Sequence, residues 1–261
     1  MGSSMRVAIV IGASSGIGQS AAIQLAKRGT GVVLTYSGNQ AGAQETLAAI
    51  EKEGGTAVAL RLDIGRSDTF PAFRERIVAV LRDTWQRDTF DYLVNNAGFG
   101  GGAMFEETTE ELFDRFVRVL LKGPYFLTQA LLPLLADGGA IVNVSSNSAL
   151  PTGLVDAGYS AYATMKGGLN VLTRYLAKEL APRRIRVNAV SPGPTRTRLS
   201  DASGVVAFEA YPEAIPALAA KTALGRIGEP DDIGVVIATL LGEAGAWITA
   251  QNIEVSGGYD L

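Results

Sequence analysis

Short apolar runs alternate with longer amphipathic stretches along almost the whole chain. Runs at 6–11 (RVAIVI), 31–36 (GVVLTY), 56–62 (TAVALRL), 91–96 (DYLVNN), 140–145 (AIVNVS), 185–190 (IRVNAV) and 251–255 (QNIEV) read as strands. Several are apolar at nearly every position, as expected when both faces of a sheet are covered. Between them, helical spacing of apolar residues runs near 17–28, 40–53, 67–86, 108–136, 159–181 and 231–243. Gly29, Gly54, Gly55, the Asp137, Gly138, Gly139 run and Pro182 fall where those helices should stop. The alternation predicts an α/β fold: a doubly wound parallel sheet of about seven strands, helices on both faces and right-handed crossovers. Residues 194–222 break the rhythm, mixing Phe208, Tyr211, Pro212, Pro216 and Leu218 with few strand signals, and read as a substrate loop or lid. With no internal repeat or linker, residues 6–261 read as a single domain. Residues 1–5 read as a disordered start or a cloning remnant.

Composition narrows the chemistry. The 261 residues, 47% of them apolar, suffice for one large core and are marginal for two. A net charge of −3 with scattered Lys and Arg gives no footprint for nucleic acid or an anionic membrane. No apolar run is long enough to span a bilayer, and the opening residues lack a signal-peptide cleavage pattern, so a cytoplasmic location is expected. There is no cysteine, hence no thiolate nucleophile or Cys-ligated metal, and there is no histidine, hence no Ser-His-Asp triad or HExxH zinc site. No metal is expected. Acid–base work near neutral pH falls to a carboxylate, a lysine or a tyrosine with a shifted pKa.

The sequence IVIGASSGIG places Gly12, Gly16 and Gly18 directly after the first strand and at the opening of a helix. Glycines serve a tight turn and a close backbone approach to a pyrophosphate, and the helix N-terminus offers unpaired N–H groups to the phosphates. Gly12, Ser14, Ser15, Gly16, Ile17 and Gly18 are therefore dinucleotide-binding candidates. An acidic residue at the end of the second strand would hold the 2′-hydroxyl of NAD. Here that strand ends TYSGNQ and the next acid is Glu45. This favours NADP(H) over NAD(H), with Tyr36, Ser37, Asn39 and Ser15 as the available partners, since no Arg or Lys stands in the segment.

The stretch YSAYATMK holds two tyrosines and one lysine. Tyr162 and Lys166 are four residues apart, which puts both on one helical face. A nearby ammonium favours a phenolate, and an oxidised nicotinamide would push the same way. Tyr159 has Ala163 four residues on, so its phenol lacks the cation.

Taken in order, the Gly12-x3-Gly16-x-Gly18 turn, NNAG at 95–98, VSS at 144–146, YATMK at 162–166, SPG at 191–193 and VSGG at 255–258 resemble the short-chain dehydrogenase/reductase family. The resemblance covers essentially all of residues 6–261, and the nearest subgroup looks like ketoreductases related to 3-oxoacyl-carrier-protein reductases. It implies a Rossmann-type catalytic domain and NADP(H)-dependent interconversion of a ketone, or a 3-oxoacyl group, with a secondary alcohol. It also implies that Tyr162 is the general acid or base and that Lys166 holds the nicotinamide ribose. A polarising hydroxyl is expected at Ser146, with Ser145 and Ser148 as fallbacks. Asp63 and Ile64 are expected at the adenine, although Asp63 also suits a turn cap. Asn95 is expected beside the adenosine ribose or as a tie between strands. Ala97 and Gly98 follow in the same motif, and Pro192, Gly193 and Thr195 should lie near the carboxamide. Phe99, Ser148, Leu150, Leu154, Tyr159, Phe208 and Tyr211 are the expected substrate lining. The family's usual catalytic asparagine is replaced by Leu120, which reads best as a packing residue. The family also implies a homotetramer or homodimer assembled through the helices near 108–136 and 159–181. The alternatives are an NAD(H)-linked alcohol, sugar or steroid dehydrogenase, and a dinucleotide-binding regulator that has lost its chemistry.

Overall fold

The computed structural model describes residues 5–151, 155–198, 209 and 211–261. Leu154, Phe208, the first four residues and part of the 194–222 segment lie outside the described residues. The strands are β1 (Val7–Ile11), β2 (Gly31–Tyr36), β3 (Ala57–Arg61), β4 (Phe90–Asn95), β5 (Leu135–Val144), β6 (Arg186–Pro192) and β7 (Asn252–Val255). They form one parallel sheet in the order β3-β2-β1-β4-β5-β6-β7. All five residues of β1 are buried, which is why that strand is apolar throughout.

The helices are α1 (Gly16–Ala26), α2 (Gln40–Lys52), α3 (Phe70–Trp85), α4 (Glu110–Phe116), α5 (Gly123–Leu131), α6 (Ser160–Glu179), α7 (Ala214–Ala220) and α8 (Pro230–Leu241). On one face of the sheet, Ala22 and Leu25 of α1, Ile50 of α2 and Ile237 of α8 pack on Val10, Val32 and Val142. On the other, Phe73 and Ile77 of α3, Leu127 of α5 and Ala177 of α6 pack on Ile9, Leu93 and Ile141. A smaller cluster of Phe99, Phe116, Leu120, Ala161 and Met165 lies between α4 and α6. Arg186, at the start of β6, donates to the carbonyls of Leu240 at 2.6 Å, Leu241 at 2.8 Å and Gly245 at 2.7 Å, satisfying the C-terminal end of α8.

Two elements differ from the expectation. The helix expected over 108–136 is divided, with a π turn at Val117–Lys122 between α4 and α5. Pro124 has no N–H to donate to the carbonyl four residues back, and Gly123 instead bonds Arg118. The helical run also ends sooner, because Pro133 lies in a 3₁₀ turn (Leu132–Leu134) and the chain is already in β5 at Leu135. The Asp137, Gly138, Gly139 run expected to stop a helix forms an irregularity within that strand, where the register shifts between Phe90 and Tyr92 and Gly138 has φ +78°.

Strand order reverses between β1 and its neighbours β2 and β4, opening a crevice at the carboxyl ends of the strands. Among the described residues, no helix is long and apolar enough to cross a membrane.

Candidate active site

A cavity of about 1180 Å³ follows the carboxyl ends of the strands, with its walls drawn from the turns after β1 to β6. At one end lies the glycine turn. Gly12 has φ +78°, and a Cβ there would stand 2.7 Å from the Ala97 Cα, so only glycine lets the turn meet the chain after β4. A Cβ on Gly18 would run into the Gly12 carbonyl and the Asn96 amide, so this glycine seats α1 against the strands and does not line the cavity. Buried Thr35 and Thr46 hold the turn. Gly12 N–H donates to Thr35 Oγ1 at 3.0 Å, and the Thr46 hydroxyl donates to the Ala13 carbonyl at 2.9 Å. Helix α1 begins at Gly16 with no side-chain cap from Ser15 and no acid in its first turn, leaving its first N–H groups and dipole directed at the cavity.

Of the residues expected at the coenzyme, Ser14, Ser15, Gly16, Ile17, Tyr36, Ser37, Asn39, Asp63, Ile64, Ala97, Gly98, Pro192, Gly193 and Thr195 line this cavity. Three of their side chains are already engaged, one of them Thr195, whose hydroxyl donates to the Gly193 carbonyl at 2.9 Å. Asn39 caps α2 by accepting from Gly42 N–H at 3.0 Å and donates to the Ser14 carbonyl at 3.3 Å. Asp63 accepts from Gly65 N–H at 2.9 Å, the turn-capping role. Asn95 lies outside the cavity lining. Its amide donates to Thr128 Oγ1 at 3.0 Å and Asn143 Oδ1 at 2.9 Å, so it ties β4 to β5 and α5. The cavity residue is Asn96, whose amide donates to the Gly12 carbonyl at 2.6 Å. Strand alternation explains the exchange, since successive side chains point to opposite faces. The second Asn of NNAG was the available signal. Arg66, Arg115 and Arg118 also line the cavity and carry no recognisable spacing.

At the other end, Ser146, Tyr162 and Lys166 come together. Ser146 caps a 3₁₀ turn (Asn147–Ala149) after β5, while Tyr162 and Lys166 share a face of α6. All three line the cavity. Lys166 is buried and its Nζ donates to the Val144 carbonyl at 2.8 Å, lying 5.8 Å from the centre of the Tyr162 ring. Burial lowers the Lys166 pKa to about 8. Burial also pushes the Tyr162 phenol up to about 12, against a hydrogen bond from Ser146 that lowers it. This runs against the expectation that the lysine would favour a phenolate: desolvation of the buried phenol outweighs the hydrogen bond from Ser146. At neutral pH the phenol is protonated. Ser145 also lines the cavity but is buried, and its hydroxyl donates to the Lys166 carbonyl at 3.2 Å, so that its proton is already engaged.

Phe99, Ser148, Tyr159 and Tyr211 line the cavity, and Leu150 does not. Phe99 stacks on Phe116 with ring centroids 4.8 Å apart, and Tyr159 meets Tyr162 edge-on at 6.1 Å. Arg115 covers the Phe99 ring at 4.6 Å. Leu120 is buried in the adjoining cluster, with one methyl 3.0 Å from where a Gly98 Cβ would sit. The replacement for the family's asparagine is thus a packing residue beside the lysine.

The sequence model of a family described as enoyl-(acyl carrier protein) reductase matches residues 12–260. An uncharacterized oxidoreductase of Methylorubrum extorquens is 40% identical over 256 residues, covering 97% of this chain and 97% of that one. A hydroxynaphthalene reductase-like protein of Metarhizium brunneum is 34% identical, over 97% of this chain and 94% of its own. The crystal structure of the angucycline C-6 ketoreductase LanV with bound NADP superposes with a TM-score of 0.90 at 34% identity, covering 98% of this chain and 95% of that one. With the glycine turn, the reversed strand order and the Ser, Tyr and Lys side chains in one cavity, these likenesses make the chain an oxidoreductase of the short-chain dehydrogenase/reductase family.

Proposed function

We propose that the protein is an NADP(H)-dependent ketoreductase that interconverts a ketone and a secondary alcohol on a hydrophobic, aromatic-lined substrate. The observation that carries this reading is the convergence of the Ser146 hydroxyl, the Tyr162 phenol and the Lys166 ammonium in the cavity that begins at the glycine turn. A dinucleotide fits the residues present. The Gly12 turn has no room for a side chain, and the uncapped start of α1 is suited to phosphates. Ser37 lines the cavity after β2, and the segment that ends this strand carries no acid of its own to repel a 2′-phosphate, which supports NADP(H), as does the bound NADP of the ketoreductase relative. When bound, the reduced nicotinamide supplies a hydride to the carbonyl carbon.

The protein's own groups do the rest. Tyr162, protonated through the neutral range, gives its proton to the carbonyl oxygen. Ser146 donates a hydrogen bond to the same oxygen as charge develops there. Lys166 supplies positive charge on the same side and a donor for the coenzyme's ribose. Tyr159 and Tyr211, both exposed at the cavity, offer aromatic surface to a ring-bearing substrate, which agrees with the names of the hydroxynaphthalene and angucycline relatives.

Ketone-dependent NADPH oxidation over a panel of fused-ring aromatic ketones and 3-oxoacyl thioesters tests the reading. Turnover should be measurable on an aromatic ketone and should drop by at least ~100-fold in Tyr162→Phe. Wild-type turnover in that variant rules out the assigned acid. We further infer association of copies through α5 and α6, where Tyr125, Phe126, Val171 and Tyr175 stand exposed. Light scattering of Tyr175→Glu, with a smaller mass expected than for the wild type, checks it.

A further inference from the structure

We infer that Ser148 is a positioning residue that compels Ser146 to act as a hydrogen-bond donor toward the reacting oxygen, through a turn pinned to α6 by Asn170. The inference rests on the ketoreductase reading and adds a residue to its machinery.

Ser146 follows β5 in an extended conformation, and the chain then tightens into the 3₁₀ turn, with Ala149 N–H bonding the Ser146 carbonyl at 3.1 Å. That turn folds Ser148 back onto Ser146. The Ser148 backbone N–H donates to Ser146 Oγ at 3.3 Å, and the two hydroxyl oxygens are 2.8 Å apart. A serine hydroxyl has one proton and two acceptor sites. The Ser148 N–H takes one acceptor site. If the Ser148 hydroxyl donates as well, it takes the second, and Ser146 keeps a single capacity: its own proton. The remaining neighbour is the Tyr162 phenol, and the hydrogen bond between the two lowers its pKa. In the reaction, the same proton would face the carbonyl oxygen beside Tyr162.

The turn is held in place from below. Asn170 Nδ2 donates to the Ala149 carbonyl at 3.2 Å. Asn170 stands one helical turn beyond Lys166 on α6, so the Ser148 side and the Tyr162 side are referenced to the same helix. Two further ties join the end of β5 to that helix, Lys166 Nζ to the Val144 carbonyl and the Ser145 hydroxyl to the Lys166 carbonyl. The Asn170 Oδ1 is buried and has no hydrogen-bond partner among the described residues. Keeping an amide there at that cost is reasonable if its donor half is what the site requires. The other titratable groups lining this part of the cavity include Lys166 from α6, Tyr159 just before it, Asp156 from the preceding loop, Arg115 from α4, and Tyr211 and Tyr259.

Ser148→Ala, Ser148→Thr and Asn170→Ala test the arrangement by steady-state ketone reduction and by the pH profile of alcohol oxidation. Ser148→Ala should lower kcat about tenfold with KM within about twofold, because the lost interaction acts on the transition state. Freed to accept, Ser146 should take the Tyr162 proton as a hydrogen bond, moving the oxidation profile to higher pH by about half a unit or more. Ser148→Thr, which keeps the hydroxyl, should restore both, and Asn170→Ala should show the same signature in weaker form. Wild-type kcat and an unshifted profile in Ser148→Ala overturn the inference, as does a loss that threonine fails to rescue. Ultraviolet titration of the phenol, taken as the difference from Tyr162→Phe, needs no turnover. A higher phenolate onset in Ser148→Ala supports the inference even if every ketone fails, and an unchanged onset refutes it even if the ketoreductase reading stands.

Discussion

At the Gly12 end of the cavity the working surface is backbone; at the Tyr162 end it is side chain. The glycine turn presents N–H groups and excludes any Cβ, since a methyl on Gly12 would stand 2.7 Å from the Ala97 Cα. Its supports, Thr35, Thr46 and Asn96, are buried or half-buried and bond main-chain atoms. The other end depends on the hydroxyls of Ser146 and Tyr162 and on a buried ammonium, each tuned by what surrounds it. A site built from backbone can be read from steric necessity. One built from titrating side chains requires the burial and hydrogen bonds as well, and these appear only once the chain is folded.

The division predicts that mutations should separate binding from chemistry. The largest effect outside Tyr162 is expected for Ser146→Ala, which removes a donor to the developing oxyanion. It should lower kcat by about 100-fold and leave the NADPH dissociation constant within about twofold, as measured by fluorescence titration and steady-state kinetics. Gly12→Ala should behave in the opposite way. It places a side chain at φ +78° against Ala97, and about tenfold or greater weakening of NADPH binding is expected from strain of about 1–2 kcal/mol plus the clash.

The next effect is one of pH. Burial sets the Lys166 pKa at about 8, so its charge is present below that value and lost above it. Tyr162, up at about 12, stays protonated across the same range. The kcat/KM for NADPH, which reports the free enzyme, should therefore fall as pH rises through about 8, and Lys166→Arg should move that limb upward. A flat profile from pH 6 to 9 would contradict this assignment. The smallest effect on function is expected for Asn95→Ala. It leaves the partners of a buried amide unpaired and should cost about 1–3 kcal/mol in a denaturant melt, with NADPH affinity unchanged.

The same contrast governs what was legible in the sequence. The doubly wound sheet followed from strands such as β1, apolar throughout because both faces are covered. The glycine turn was legible because glycine alone tolerates its conformation, and Tyr162 was distinguished from Tyr159 by a lysine one helical turn on. The π turn at Val117–Lys122 was not, because its cause, Pro124, affects the carbonyl four residues back and leaves the apolar periodicity nearly intact. Asn95 and Asn96 are adjacent and chemically identical, and only strand alternation assigns one to the interior and the other to the cavity. The direction of the Tyr162 pKa is not legible in the sequence, because spacing shows the cation and hides the desolvation.

The most direct test measures two quantities on one variant: NADPH affinity and the single-turnover rate of ketone reduction in Tyr162→Phe. The predicted result is a dissociation constant within about twofold of the wild type and a rate lowered by at least ~100-fold. Parallel loss of binding and rate, or retention of both, would contradict a cavity divided between a backbone cradle and a side-chain proton donor.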